Sequence, residues 1–374
     1  MNIILPILAV LGFPLLIVNF EKKFKPIEWL SPVVCCYGLG IILGNLSFLN
    51  WDTGFARTMS EVSVMLALPM LLLATDFPAW FKLAKTTILS FGLLIVSVMI
   101  VSYFSGLLFK DYDPEVWKMT GMLVGVYVGG TANLTAIGKM LEIRDEAFIT
   151  LNAVDVALGG AYLLFVMSFG VKILTYFLKP FDHALNPEND MDVLNWKKLS
   201  GLNKFRNAVI LIVLCGAAVG ISLLISKLIT GGESAGLIIL GLTVIALSLS
   251  FIPKIRHFEG SQECGHYFLL VFCVAVGSLA NASQLLTGKM WYFAFCSVVM
   301  FGSIILHFTC CYFLKIDRDT AIITSMAGIF GPAFVAPMSD VLKNRAILVS
   351  GITTGLVGIA LGNFVGLFVA WLLK

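Results

Sequence analysis

Residues Gly125 to Lys139 read GVYVGGTANLTAIGK, and this stretch decides how the chain is read. It places Gly129, Gly130, Thr131 and Asn133 near the middle of a segment otherwise made of Val, Leu and Ile. Glycine weakens a helix and Asn competes for its backbone hydrogen bonds, so the helix expected over 116–138 is interrupted there. In a lipid environment, freed backbone groups are tolerated only where they are buried in protein or line a wet cavity. Interrupted helices in corresponding places of two halves are the pattern of a carrier's solute and ion site.

The setting is a membrane. The 374 residues are 59% hydrophobic and 13% charged, with a mean hydropathy of +0.96, outside the range of soluble domains. A net charge of +3 is too small, and its basic residues too scattered, to suggest a nucleic-acid partner. Residues 1–20 are apolar without a basic leader or small-residue cleavage site, and are expected to be a retained first span. Seven of the eight cysteines lie in apolar runs, as packing residues do, and not as a disulfide framework. All seven tryptophans fall at or just beyond the ends of apolar runs, the headgroup level.

Runs long enough to cross about 30 Å of hydrocarbon predict about twelve spans, between eleven and thirteen, in an all-α polytopic protein. Six belong to a first repeat, 1–178. A polar linker at 179–206 and a second repeat at 207–374 come after it. In the second repeat the run TSMAGIFGPAFVAPMSDVL holds Gly328, Gly331, Pro332 and Pro337, so a second interrupted helix is expected over 320–341. Gly130-Thr131-Ala132 and Gly331-Pro332-Ala333 share a G-x-A pattern, each glycine being followed by an arginine, Arg144 and Arg345, at the same spacing. These matches imply an internal duplication of about 200 residues. Counting every run as one crossing puts six between Gly130 and Gly331, whereas inverted halves need an odd number. Either the halves are parallel or one crossing is miscounted. The five basic residues of the linker suggest that it faces the cytoplasm.

The runs VYVGGTANLTAIGKML and MAGIFGPAFVAPMSDVL, with the six-plus-six layout, resemble the uncharacterised bacterial and plastid membrane family known as domain of unknown function 819. That family is distantly similar to the cation/proton antiporters and bile-acid-type sodium symporters. The resemblance implies a core domain in which two broken helices cross at mid-membrane, a panel domain beside it, elevator-type movement of one against the other, and a homodimer formed through the panels. The apolar runs lack an adjacent Asp-Asp or Asn-Asp pair, the single such pair, Asn189-Asp190, lying in the polar linker, which sets the chain apart from simple sodium/proton exchangers.

Asp155 lies about 12 Å inside its helix at 1.5 Å per residue, so it needs a cavity and a partner. Asn152, Asp155 and Gly159 share a face. An Na+ or H+ coupling site is expected from Asp155, Asn152, Thr131 and Asn133, with Asp76 a further acid at a span end. A structural hydrogen bond that pins the break is the plainer alternative. The unpaired N–H groups at the breaks suit an anion, with Gly129, Gly130, Thr131, Asn133, Gly331, Pro332 and Ala333 as solute-binding candidates and Asn281 and Ser283 as lining. Small-residue packing explains many such glycines too. His307, Cys310 and Cys311 share a helix face, but no second pair completes a transition-metal site.

No H-E-x-x-H motif and no phosphate-binding loop is present. The expectation is an ion-coupled secondary transporter of a small organic anion, without a cofactor beyond its coupling ion, in a bacterial inner membrane. The alternative is an intramembrane enzyme or lipid-handling protein that uses Asp155 and Asp76 as its acids.

Overall fold

The structure is a computed structural model describing residues 4–20, 32–46, 52–73, 77–182, 201–279 and 290–374. Asp76, Asn281, Ser283 and most of the polar linker lie outside the described residues. All regular elements among the described residues are helical, save an isolated bridge between Lys179 and Asp317. Six helices are long and apolar enough to cross a bilayer, and Pro6–Val18, Pro32–Asn45 and Leu237–Ser250 are shorter apolar helices.

The chain divides into two compact units, each drawing on both halves of the sequence. The first, Met1–Lys82 with Asp182–Leu279, contains α1 (Ile4–Phe20), α2 (Pro32–Asn45), α3 (Thr53–Leu73), α8 (Gly201–Thr230), α9 (Ala235–Ser250) and α10 (Ser261–Gly277). Gly40, Gly44 and Gly277 let α2 and α10 approach until backbone meets backbone: a Cβ on Gly40 would lie 2.9 Å from the Ser278 nitrogen. Met70, Leu73, Leu211 and Cys215 form one buried apolar cluster, and Ala218, Ile238 and Leu242 another.

The second unit, Leu83–Phe181 with Ala280–Lys374, begins in α4 (Phe77–Phe109) and holds two similar sets of elements. The first set continues with α5 (Val116–Gly129), α6 (Thr131–Met140) and α7 (Asp145–Leu174). The second comprises α11 (Met290–Phe313), α12 (Arg318–Ile329), a 3-10 turn at Pro332–Phe334 leading into α13 (Val335–Val341), and α14 (Leu348–Leu373).

The segments 116–138 and 320–341, expected as broken helices that cross at mid-membrane, each fold back on themselves at the interruption. Lys118 Nζ donates to the Glu142 carbonyl at 3.0 Å, and the Arg144 amide donates to Glu115 Oε2 at 3.2 Å, so the end of α6 returns to the start of α5. A straight broken helix of that length would separate these residues by more than about 30 Å. The inner face of the hairpin is made of small residues, and a Cβ on Gly125 would meet Asn133 and Ile137 of the returning arm. In the second hairpin, Asn344 Nδ2 donates to Asp319 Oδ2 at 2.9 Å, which again joins the two ends. The two prolines fit this path. Pro332 opens the 3-10 turn and Pro337 sits in the first turn of α13, where no helical N–H partner is lost.

The hairpins enter the unit from opposite ends. At one end Glu115 and Arg144 meet, Tyr112 packs on Trp291, and Lys374 Nζ stands 5.4 Å from the Trp117 ring. At the other, the Arg318 amide donates to the Lys179 carbonyl at 2.8 Å and its guanidinium to Thr175 at 2.8 Å. Helix α7 runs from the first end to the second. A π turn at Val166–Gly170 interrupts it. The extra residue taken up there rotates the last turns of the helix by about 100°. That returns Leu174 to the face carrying Tyr162, where it packs with Cys311, Ile316 and Ala321.

Helix α14 is the shared rail. Gly121, Gly125 and Gly129 of α5 face Gly366, Gly362 and Gly358 of α14, and a Cβ on Gly121 would stand 2.8 Å from the Gly366 carbonyl oxygen. Without side chains the two backbones close up, as small residues permit between helices in lipid.

Candidate functional site

The tips of the hairpins meet. Gly130 has φ 84° and ψ −179°, and Gly331 has φ 85° and ψ 178°, a combination that residues bearing a Cβ avoid. A Cβ on Gly130 would lie 3.7 Å from the Gly331 nitrogen and from the Phe330 carbonyl. Beyond each glycine the chain starts a new helix without a side-chain cap. The first N–H groups of α6 therefore begin beside the facing tip.

Asp155 sits next to this meeting point and is 7% exposed. Its carboxyl is neighbour to the Tyr127 hydroxyl, one turn before the tip on α5, and lies within electrostatic range of the Cys296 thiol of α11. Tyr127 and Cys296 are wholly buried. The hydroxyl and carboxyl are close enough to interact, yet no fully formed hydrogen bond satisfies the enclosed hydroxyl. One turn further along α7, Gly159 makes room for the Phe330 ring, which would stand 3.2 Å from a Cβ there. Phe330 stacks on Tyr162 at 6.2 Å, and the Tyr162 hydroxyl meets Ser325 Oγ of α12 at 3.1 Å. The face that sequence spacing drew through Asn152, Asp155 and Gly159 is thus the face against the tips, continued by Tyr162.

Other candidates separate by environment. Gly129, Gly130, Gly331 and Pro332 are buried at the tips, Ala333 is half-buried, and Thr131 and Ala132 are exposed. Asn152 is half-buried one turn from Asp155. Asn133 is turned away into the packing: it is 2% exposed and its Nδ2 points at the Gly358 carbonyl oxygen at 3.4 Å, between α6 and α14. His307 is fully buried with Nε2 3.3 Å from the Ala321 carbonyl and 3.7 Å from Cys311 Sγ. Among the described residues no group of three metal-ligating side chains forms.

Sequence reading missed Tyr127 and Cys296, which pass for apolar filling. The available signal was a tyrosine in mid-segment, since a buried phenol needs a polar neighbour.

A helical chain with these apolar spans is an integral membrane protein, whose second unit is built on two tip-to-tip hairpins. A family model described as Protein of unknown function (DUF819) matches residues 6–374, and the chain belongs to that family. It is 22% identical over 368 residues to the Uncharacterized membrane protein YjcL of Bacillus subtilis (strain 168), a match covering 94% of this chain and 92% of that protein.

Proposed function

We propose that this protein is an ion-coupled secondary transporter, driven by Na+ or H+, that carries a small organic anion across a bacterial inner membrane by elevator-type movement. The observation that carries the reading is the meeting of Gly130 and Gly331 beside the buried Asp155. Uncapped N–H groups and the positive end of the α6 dipole suit an anionic solute at the tips. The acid one helix away suits a coupling cation. Thr131, exposed at the tip, and Asn152 are further contacts in this reading.

The same reading removes the parity problem. In it, the hairpins are entrances and not crossings, and α7, α8, α9, α10 and α11 are single passes. Among the described residues that makes five passes between equivalent hairpins, an odd number, as two inverted halves require. Backbone detail favours such halves. Glu142 and Lys343 both close their hairpins with positive φ, 51° and 53°, and matching bonds run from Ile143 N to Gly138 O and from Asn344 N to Ser339 O.

Purified protein in liposomes is expected to take up radiolabelled amino acids, dicarboxylates or sulfonates only under an imposed sodium or proton gradient. Uptake drops sharply in Asp155→Asn. Uptake of equal gradient dependence in that variant removes Asp155 from the coupling role.

A further inference from the structure

Asp155 has an unusual set of neighbours for an acid at such depth. Among the described residues no Lys, Arg or His pairs with it, and it is 7% exposed. An ionised carboxylate without a partner is costly so far from water, so a bound cation or a proton must neutralise it in the closed protein. The groups that face it choose between these. From α5 comes the Tyr127 hydroxyl and from α11 the Cys296 thiol. The second hairpin brings the Phe330 ring against the same helix at Gly159. On α7 itself, Tyr162 is committed to Ser325, and half-buried Asn152, one turn back, adds a single amide oxygen, far short of a full cation shell.

A hard cation such as sodium takes a shell of oxygens, and a thiol and an aromatic ring are poor members of one. A phenol, by contrast, both donates and accepts. Tyr127 is buried, and its hydroxyl lacks a satisfied hydrogen bond. It can donate to the carboxylate when Asp155 is charged and, after a turn about its C–O bond, accept from the acid when Asp155 is neutral.

Resting on the carrier reading, we infer that Asp155 is a proton-binding site with Tyr127 as its positioning residue, so that the coupling ion is H+ and not Na+. The step balances simply. A proton from water adds to one Asp155 carboxylate oxygen to give the neutral acid, and later returns to water at the other face. Tyr127 keeps its own proton throughout.

Infrared difference spectra of the purified full chain in liposomes, stepped in pH, test this without knowledge of the solute. A carboxylic-acid carbonyl band is expected to titrate in the wild type, to be lost in Asp155→Asn and to move in its midpoint in Tyr127→Phe. Exchange of choline for sodium leaves it unchanged. A band that persists in Asp155→Asn, or that sodium abolishes or shifts, overturns the proposal. Should Asp155→Asn fail to fold, the Tyr127→Phe shift and the wild-type sodium comparison still decide. The transporter reading fails on a different result, the absence of uptake under every gradient, so the two are told apart.

Discussion

Gly130 and Gly331 occupy the same backbone conformation, φ 84° against 85°, and touch each other at the tips of hairpins that enter from opposite ends of one unit. Space does not explain the need for glycine at Gly331, because a Cβ there would meet nothing within 4 Å. Conformation does. Gly130→Ala and Gly331→Ala should each cost about 1–3 kcal/mol, the strain of that region of φ/ψ space. Both are expected to lower the thermal unfolding midpoint in detergent by similar amounts. An unchanged midpoint in Gly331→Ala means that the turn relaxes elsewhere.

The α5–α14 contact makes a different demand, for space. A Cβ on Gly129 would overlap the Gly358 carbonyl oxygen, and one on Gly358 the Val128 carbonyl oxygen. Backbone cannot step aside as a side chain does, so Gly358→Ala should destabilise by about 1–3 kcal/mol through overpacking. Gly216→Ala in α8 is the control, since a Cβ there meets nothing within 4 Å. It should be neutral or stabilising by up to about 1 kcal/mol, the helix propensity difference. Equal effects at the two sites argue against a tight α5–α14 seam.

The bases of the hairpins should answer acid with opposite signs. Partial burial pushes the Glu115 carboxyl up, but hydrogen bonds from Lys118 and Arg144 outweigh it and hold the group below its ordinary 4.5. A depressed acid contributes stability that is present above its unfolded value and lost as pH falls through the folded one. Burial instead raises Asp317 above 3.8, so protonation there favours the folded form. Lowering pH from neutral to below about 4 should speed hydrogen exchange in the first hairpin's base, around residues 113–118 and 141–145. The base at 317–320 is expected to stay protected. Faster exchange at both bases counts against the asymmetry.

Arg144 ties Asp113 at 2.7 Å and Glu115 at 2.8 Å, yet its side chain is half exposed. Arg144→Gln should therefore cost no more than about 1 kcal/mol, as solvent-exposed pairs do. Local fraying at Leu141 to Asp145 is the expected readout by limited proteolysis. A global fall in stability contradicts a merely local clasp.

How far the sequence could be read depends on which interactions are local. Glycine at Gly130 and Gly331 and proline at Pro332 speak through their own φ and ψ, so the two interruptions were legible. Whether the chain bends or turns back depends on Lys118 reaching Glu142 and on Asn344 reaching Asp319, pairs about 25 residues apart. Composition carries no sign of them. The likeness of the two hairpin segments was legible in Gly130/Gly331 and Arg144/Arg345 but obscured elsewhere by reversed charge, as Lys118, Lys139 and Glu142 correspond at the same offset to Asp319, Asp340 and Lys343. Asp155 was legible because a deep acid is conspicuous. Its neighbours come from α5 and α11, far along the chain, and only folding brings them together.

Asn133 shows how a residue chosen for one role is held for another. Sequence reading made it both an ion ligand and a solute contact, whereas its amide nitrogen points at the Gly358 carbonyl oxygen within the α5–α14 seam. The two roles separate in Asn133→Asp. For a cation ligand, a carboxylate keeps or strengthens binding. For a donor to a carbonyl, it sets acceptor against acceptor in a buried site, a loss of about 1–3 kcal/mol for the unsatisfied group. Asn133→Asp is expected to unfold at lower temperature than wild type, with no gain in the response of uptake to sodium or pH. A variant of normal stability with altered ion dependence would return Asn133 to the ion site.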